Sequence, residues 1–184
     1  MSESEIDAFA TELFEEAKRF LEKTKEADNT EGKKAFLHAA LLVGMSSLEA
    51  HINAICEEMS GRDGLNLLDL SMLSEKEIVF DKGEYKLTKK LKIYNLMDRI
   101  LFISKRFAMA GRKLDTNADW WSKLHQGVDL RNSFVHPKER RPMTYEQVVS
   151  AFEGIIGVLD AIYVILYKQH FPSLGQHLGS EMSF

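Results

Sequence analysis

A chain of 184 residues with 45% hydrophobic and 28% charged side chains has the makeup of one folded domain that can bury a core without disulfides or structural metal, and it is not a disordered tract. The net charge of −4 by itself argues against a polyphosphate partner, yet 105–141 holds nine basic residues against four acidic ones, so this stretch is +5 and the remainder −9. The single cysteine, Cys56, excludes an intramolecular disulfide and fits a reducing compartment.

The opening MSESEIDAFA is acidic and lacks the basic cap and apolar core of a secretory signal, so a cytoplasmic protein is expected. Ile6, Phe9, Ala10, Leu13, Phe14, Ala17, Phe20 and Leu21 recur at three- and four-residue steps and predict a first helix over 5–27, with Ser4 as its N-cap. Turn formers in "KEADNTEG" end it. A second helix is predicted over about 33–59; its first half is apolar around much of its circumference, which places it centrally. His38 and His51 lie in it and read as packing or polar-edge residues, and Cys56 as a buried, inert thiol.

After "SGRDG" the pattern is mixed over 63–90. "LNLLDLSML" suits a short helix, while "EIVFDKGEYKLT" alternates around a Lys82-Gly83 turn and suits a small hairpin. A third long helix is expected over about 89–109, with Ile93, Leu96, Met97, Ile100, Leu101 and Ile103 on its apolar side. A fourth begins after "DTNAD" and is stopped by Pro137, because the residue before proline is pushed out of the α region. Thr144 and Gln147 form a capping box for a last helix ending near His170, followed by a flexible tail over 172–184. The predicted class is all-α: a single domain, 1–184, built as an up-and-down bundle of four to five main helices over a 33–170 core. Charged residues interrupt the most apolar segment, 148–167, leaving no uncharged run near the roughly 18 residues of a membrane span, so no membrane partner is expected.

Most familiar chemistries are missing from the sequence. There is no Gly-x-x-x-x-Gly-Lys loop, no Gly-x-Gly-x-x-Gly, no His-Glu-x-x-His, no cysteine pair for zinc and no Glu-x-x-His of a di-metal bundle. What remains is "RNSFVH", Arg131 to His136, at the end of the fourth helix. Histidine in general, with an ordinary pKa of about 6.5, exchanges a proton near neutral pH, and arginine offers a permanent charge with a bidentate fork for phosphate oxygens. Asn132 can orient either partner through its amide. The same residues would also serve a helix C-terminus, where cations suit the macrodipole and asparagine and histidine are common enders.

"RNSFVH" matches Arg-polar-x-x-x-His and thereby resembles the motif of the HEPN superfamily, with Arg131, Asn132 and His136 in the three specified positions. "SSLEAHIN", residues 46–53, is similar to a helix that many of these families carry near their start, with Glu49 at its usual polar position. The resemblance implies an all-α bundle in which one more helix follows the motif. It further implies a metal-independent endoribonuclease of toxin, phage-defence or RNA-processing type, with no cofactor, whose two motifs face each other across a homodimer. RNA is the implied partner, together with a cognate antitoxin or other regulatory protein. The alternative is a non-catalytic module of the same kind that binds RNA, a nucleotide or a protein.

On an ideal helix five residues place Arg131 and His136 about 140° apart; the length of arginine and unwinding before Pro137 can bring the groups together, and the resemblance implies a second route, two motifs facing across a two-fold axis. Lys138, Arg140 and Arg141 adjoin the motif as candidate phosphate contacts, and His125 lies one and a half turns before Arg131 as a further cleft residue. Trp120 and Trp121 could stack on bases, although an adjacent pair on a helix usually gives one ring to the core.

Overall fold

The computed structural model describes residues 5–137, 142–173 and 178–184. Its elements in chain order are α1 (Glu5–Glu26), α2 (Thr30–Ser60), α3 (Leu67–Ser74), β1 (Lys76–Asp81), β2 (Glu84–Leu91), α4 (Leu96–Arg106), α5 (Asp119–Val135) and α6 (Tyr145–Tyr167). The expected Ser4 cap lies outside the described residues. Elsewhere the caps act as their chemistry dictates. Asn29 accepts from the Gly32 amide at 2.7 Å to start α2, and Thr144 and Gln147 close a reciprocal capping box on α6.

α1 pairs with α2 and α5 pairs with α6, while contacts between α2 and α6 join the two pairs into one bundle. Phe14, Leu41, Leu48, Ile52, Phe152, Ile155, Val158 and Ile162 form its centre, none more than 1% exposed. Each such side chain contributes about 1.5–3 kcal/mol of burial. Phe14 and Phe152 meet with ring centroids 5.7 Å apart, and the buried Ser47 hydroxyl donates to the Ala10 carbonyl at 2.7 Å, tying α2 to α1 where a bare hydroxyl would be costly. By length and composition α2 and α6 could each cross a membrane, and their apolar windows are 61% and 50% buried within the bundle. His51 is fully buried, edge-on to Phe171, with Nδ1 3.4 Å from Asp7.

The structure departs from the sequence expectations in two places. The third long helix begins at Leu96 rather than near residue 89, because Lys89–Leu91 continue β2 and the Asn95 side chain caps the Met97 amide at 2.8 Å. Ile93, expected on its apolar side, is 79% exposed. The tail is the second case. Residues 178–184 lie along α1: the Ser180 hydroxyl donates to the Glu15 carbonyl at 2.9 Å, Arg19 Nε donates to the Phe184 carbonyl at 2.8 Å, and the Phe184 ring sits 5.5 Å from Phe20. A short segment with few apolar residues is held here by hydrogen bonds that helical periodicity does not report.

A buried cation organises the far end of the bundle. Arg99 of α4, 4% exposed, donates from Nη1 to Asn53 at 2.7 Å and pairs with Glu75 at 3.2 Å, while Nη2 reaches the Cys56 sulfur at 3.2 Å. α2, α4 and the residue ahead of β1 thus converge on one guanidinium. Burial holds the Cys56 thiol above its ordinary pKa, against the opposing pull of Arg99, so it stays protonated. Arg99→Ala should cost about 3 kcal/mol, since it strands Glu75 and Asn53. Urea unfolding measures this, and a loss under about 1 kcal/mol would show the network to be dispensable.

Candidate functional site

The site is seated by a glycine seam. α5 buries Trp121, Leu124 and Gly127 against α6, and the two backbones come unusually close. A Cβ built on Gly154 would fall 2.5 Å from the backbone nitrogen of Leu124, and one on Gly157 would fall 2.3 Å from Trp120 Cβ. Residue types larger than glycine have no room there. Trp121 is therefore the core member of the tryptophan pair, while Trp120 is half-buried across Gly157.

Three- and four-residue steps along this inward face of α5 continue from Leu124 and Gly127 towards Arg131 and Phe134, both half-buried. Arg131 forms an ion pair with Glu49 of α2 through Nη2. Nη1 and Nε of Arg131 have no protein partner among the described residues. A carboxylate on one side of the guanidinium orients it and leaves the other side for an anion. Glu49 and Arg131 are 82 positions apart in the chain, and only the packing of α2 beside α5 makes them a pair.

His136 has left the helix. Its backbone sits at φ −123° and ψ 65°, its amide donates to the Asn132 carbonyl at 2.9 Å, and its side chain is exposed. This is the local unwinding that Pro137 demands. Among the described residues no hydrogen bond or ion pair joins His136 to Arg131. Asn132 is exposed, and the Ser133 hydroxyl turns back to the Leu130 carbonyl at 2.8 Å. His125 is exposed with its ring 5.2 Å from Trp121, about 120° around the helix from Arg131, so the fold does not gather it to the Arg131–Glu49 pair. Lys138, Arg140 and Arg141 lie outside the described residues.

One residue set aside in the sequence is brought to the motif. The His38 ring of α2 lies 4.3 Å from the ring of Phe134, and burial, aided by the positive Lys34, lowers its pKa so that it is neutral at pH 7. Helical spacing could not have found it, since periodicity places His38 on α2 but not α2 against residue 134.

A separate open groove of about 770 Å³ is lined by Asp119, Trp120, Lys123, Glu153, Ile156, Gly157 and Leu178. Lys123 bridges Asp119 and Glu153 at 2.5 and 2.9 Å, and both pairings raise its pKa. Its charges are thus already engaged with each other, and neither Arg131 nor His136 lines it. Among the described residues no group of three His, Cys, Asp or Glu side chains is placed to hold a metal. No family model matches the chain, and neither a curated protein nor a solved structure does so.

Proposed function

We propose that this protein is a metal-independent endoribonuclease acting on single-stranded RNA through Arg131 and His136, with two copies completing one cleft. The observation that carries this reading is the Arg131–Glu49 pair, which holds a cation with an open fork close in sequence to an exposed histidine released from the helix end. An arginine serving only the helix terminus would need no carboxylate from another helix.

RNA brings its own nucleophile. A base takes the proton from the 2′-hydroxyl, the 2′-oxygen bonds to the adjacent phosphorus, and the bond from phosphorus to the 5′-oxygen breaks as that oxygen gains a proton. The products are a 2′,3′-cyclic phosphate and a 5′-hydroxyl. His136 is the proton-transfer group. Arg131 neutralises the charge that grows on the phosphoryl oxygens, and Glu49 is a positioning residue that aims the guanidinium. The exposure of His136 at a helix end also suits a second copy bringing its own Arg131 near, an arrangement that a two-fold axis supplies without further sequence.

Incubation of the purified protein with mixed-sequence single-stranded RNA in EDTA tests this, with the product ends resolved. Cyclic-phosphate ends are expected. Cutting only after magnesium is restored would overturn the mechanism, and retention of RNA without product would favour the non-catalytic binding module.

A further inference from the structure

β1 and β2 form an arm that touches the bundle through α3. Lys82 and Gly83 turn it, with φ 51° and 89°, the pair of positive values that a two-residue hairpin needs. The register sets Ile78 opposite Leu87 and Phe80 opposite Tyr85. Strand alternation puts these four side chains on one face. Ile78 and Leu87 are half-buried, whereas Phe80 and Tyr85 at the tip are 65% and 66% exposed with ring centroids 5.1 Å apart. The rings meet edge-on at 60°, and each stays two-thirds exposed, so each offers an open surface on which something flat can stack.

The arm is a second basic stretch of the chain, beside 105–141. Residues 76–92 contain six lysines and three carboxylates in a protein of net charge −4. Lys86 and Lys90 are balanced by Asp81 and Glu77 at 3.6 and 3.1 Å. Lys76, Lys82 and Lys89 are exposed and have no carboxylate partner among the described residues.

The arm's attachment ties it to the Arg131 site. Glu49 and Asn53 are one turn apart on α2, about 6 Å along its axis. Glu49 holds Arg131, while Asn53 holds Arg99, which in turn pairs with Glu75 at the base of β1. Glu75 also receives the amides of Lys92 and Tyr94, beyond β2, at 2.8 and 3.1 Å. Both ends of the hairpin therefore hang from the α2 turn next to Glu49, and a six-residue strand reaches about 20 Å from there.

We propose that the hairpin is a substrate arm for single-stranded RNA, in which bases stack on Phe80 and Tyr85 while Lys76, Lys82 and Lys89 meet phosphates. This rests on the reading of RNA as substrate and extends it to a second contact outside the motif. Unpaired bases are required, because rings at a hairpin tip reach only bases that are not already stacked in a duplex.

The test uses the full-length His136→Ala protein, which should bind without cutting, and a labelled mixed-sequence single-stranded RNA of about 20 nucleotides, long enough to exceed the span of one such arm. Adding Phe80→Ala and Tyr85→Ala should weaken binding about tenfold or more. Adding Lys76→Gln, Lys82→Gln and Lys89→Gln instead leaves the aromatic pair intact and should flatten the slope of log K against log salt by about two. If both sets bind like His136→Ala itself, the arm is not an RNA contact, though the proposed function stands. If even the parent fails to bind RNA, that function and the arm fall together. Leu91 and Ile93, 64% and 79% exposed, make an anionic membrane the competing partner. Sedimentation with phosphatidylserine vesicles that the aromatic substitutions abolish, while RNA binding is unchanged, would overturn the proposal in favour of that surface.

Discussion

Replacing His136 with alanine should lower RNA cleavage by about 10²–10⁴-fold, the range a positioned proton-transfer group supplies. The side chain is exposed at the end of α5, so its removal should leave stability within about 0.5 kcal/mol, and a normal melting curve beside lost activity is the expected pair of results. Arg131→Ala should cost about 10²–10³-fold through lost charge stabilisation. Glu49→Ala acts one step removed: it frees the guanidinium without deleting it, so Glu49→Asp, which keeps the charge on a shorter arm, should recover part of the rate. Full activity in His136→Ala would sink the assignment outright. Equal losses in Glu49→Ala and Glu49→Asp would show that Glu49 does not act by aiming Arg131.

Gly154→Ala is the substitution with the largest expected effect on the fold. In an ordinary helix interior this change gains about 1 kcal/mol from backbone entropy. Here the new Cβ would meet the backbone of Leu124 and Lys123 at 2.5–2.9 Å, and backbone cannot rotate aside as a side chain can. α5 must move away from α6, opening the packing around Leu124, so a net loss of about 2 kcal/mol is expected. For a chain of this size that is about 4–8 °C in Tm. Gly61→Ala, whose Cβ would lie 3.6 Å from the nearest atom, is the tolerant comparison. A rise in Tm for Gly154→Ala would refute the seam. Because Arg131 rides on α5, a shift of that helix should also weaken cleavage, linking the stability of the seam to the proposed chemistry.

Local rules made much of the backbone legible in advance. Apolar residues at three- and four-residue steps define α1, the Thr144–Gln147 capping box starts α6, and alternation around Lys82-Gly83 marks the hairpin, each because the signal is complete within a few neighbouring residues. Periodicity alone does not locate the start of α4, because 89–95 carries apolar residues at spacings that fit a helix as readily as a strand. What favours the strand is pairing with β1 and a cap at Asn95. The docked tail likewise has no local signal, since its hydrogen bonds lead to α1, more than 150 positions away.

The candidate site divides in the same way. Arg131, Asn132 and His136 stand in the sequence as a motif, and Pro137 requires the helix to end where it does, because proline's steric effect acts on its immediate neighbour. Glu49 could be singled out only as a supporting position. Its ion pair with Arg131, the approach of His38 to Phe134, and the buried Arg99 that hangs the hairpin beside the same turn of α2 were decided by tertiary structure alone. Such contacts depend on how helices pack, and packing here turns on features with no local signature: glycines at 154 and 157 that let two backbones touch, and a guanidinium of α4 buried among partners drawn from two other segments.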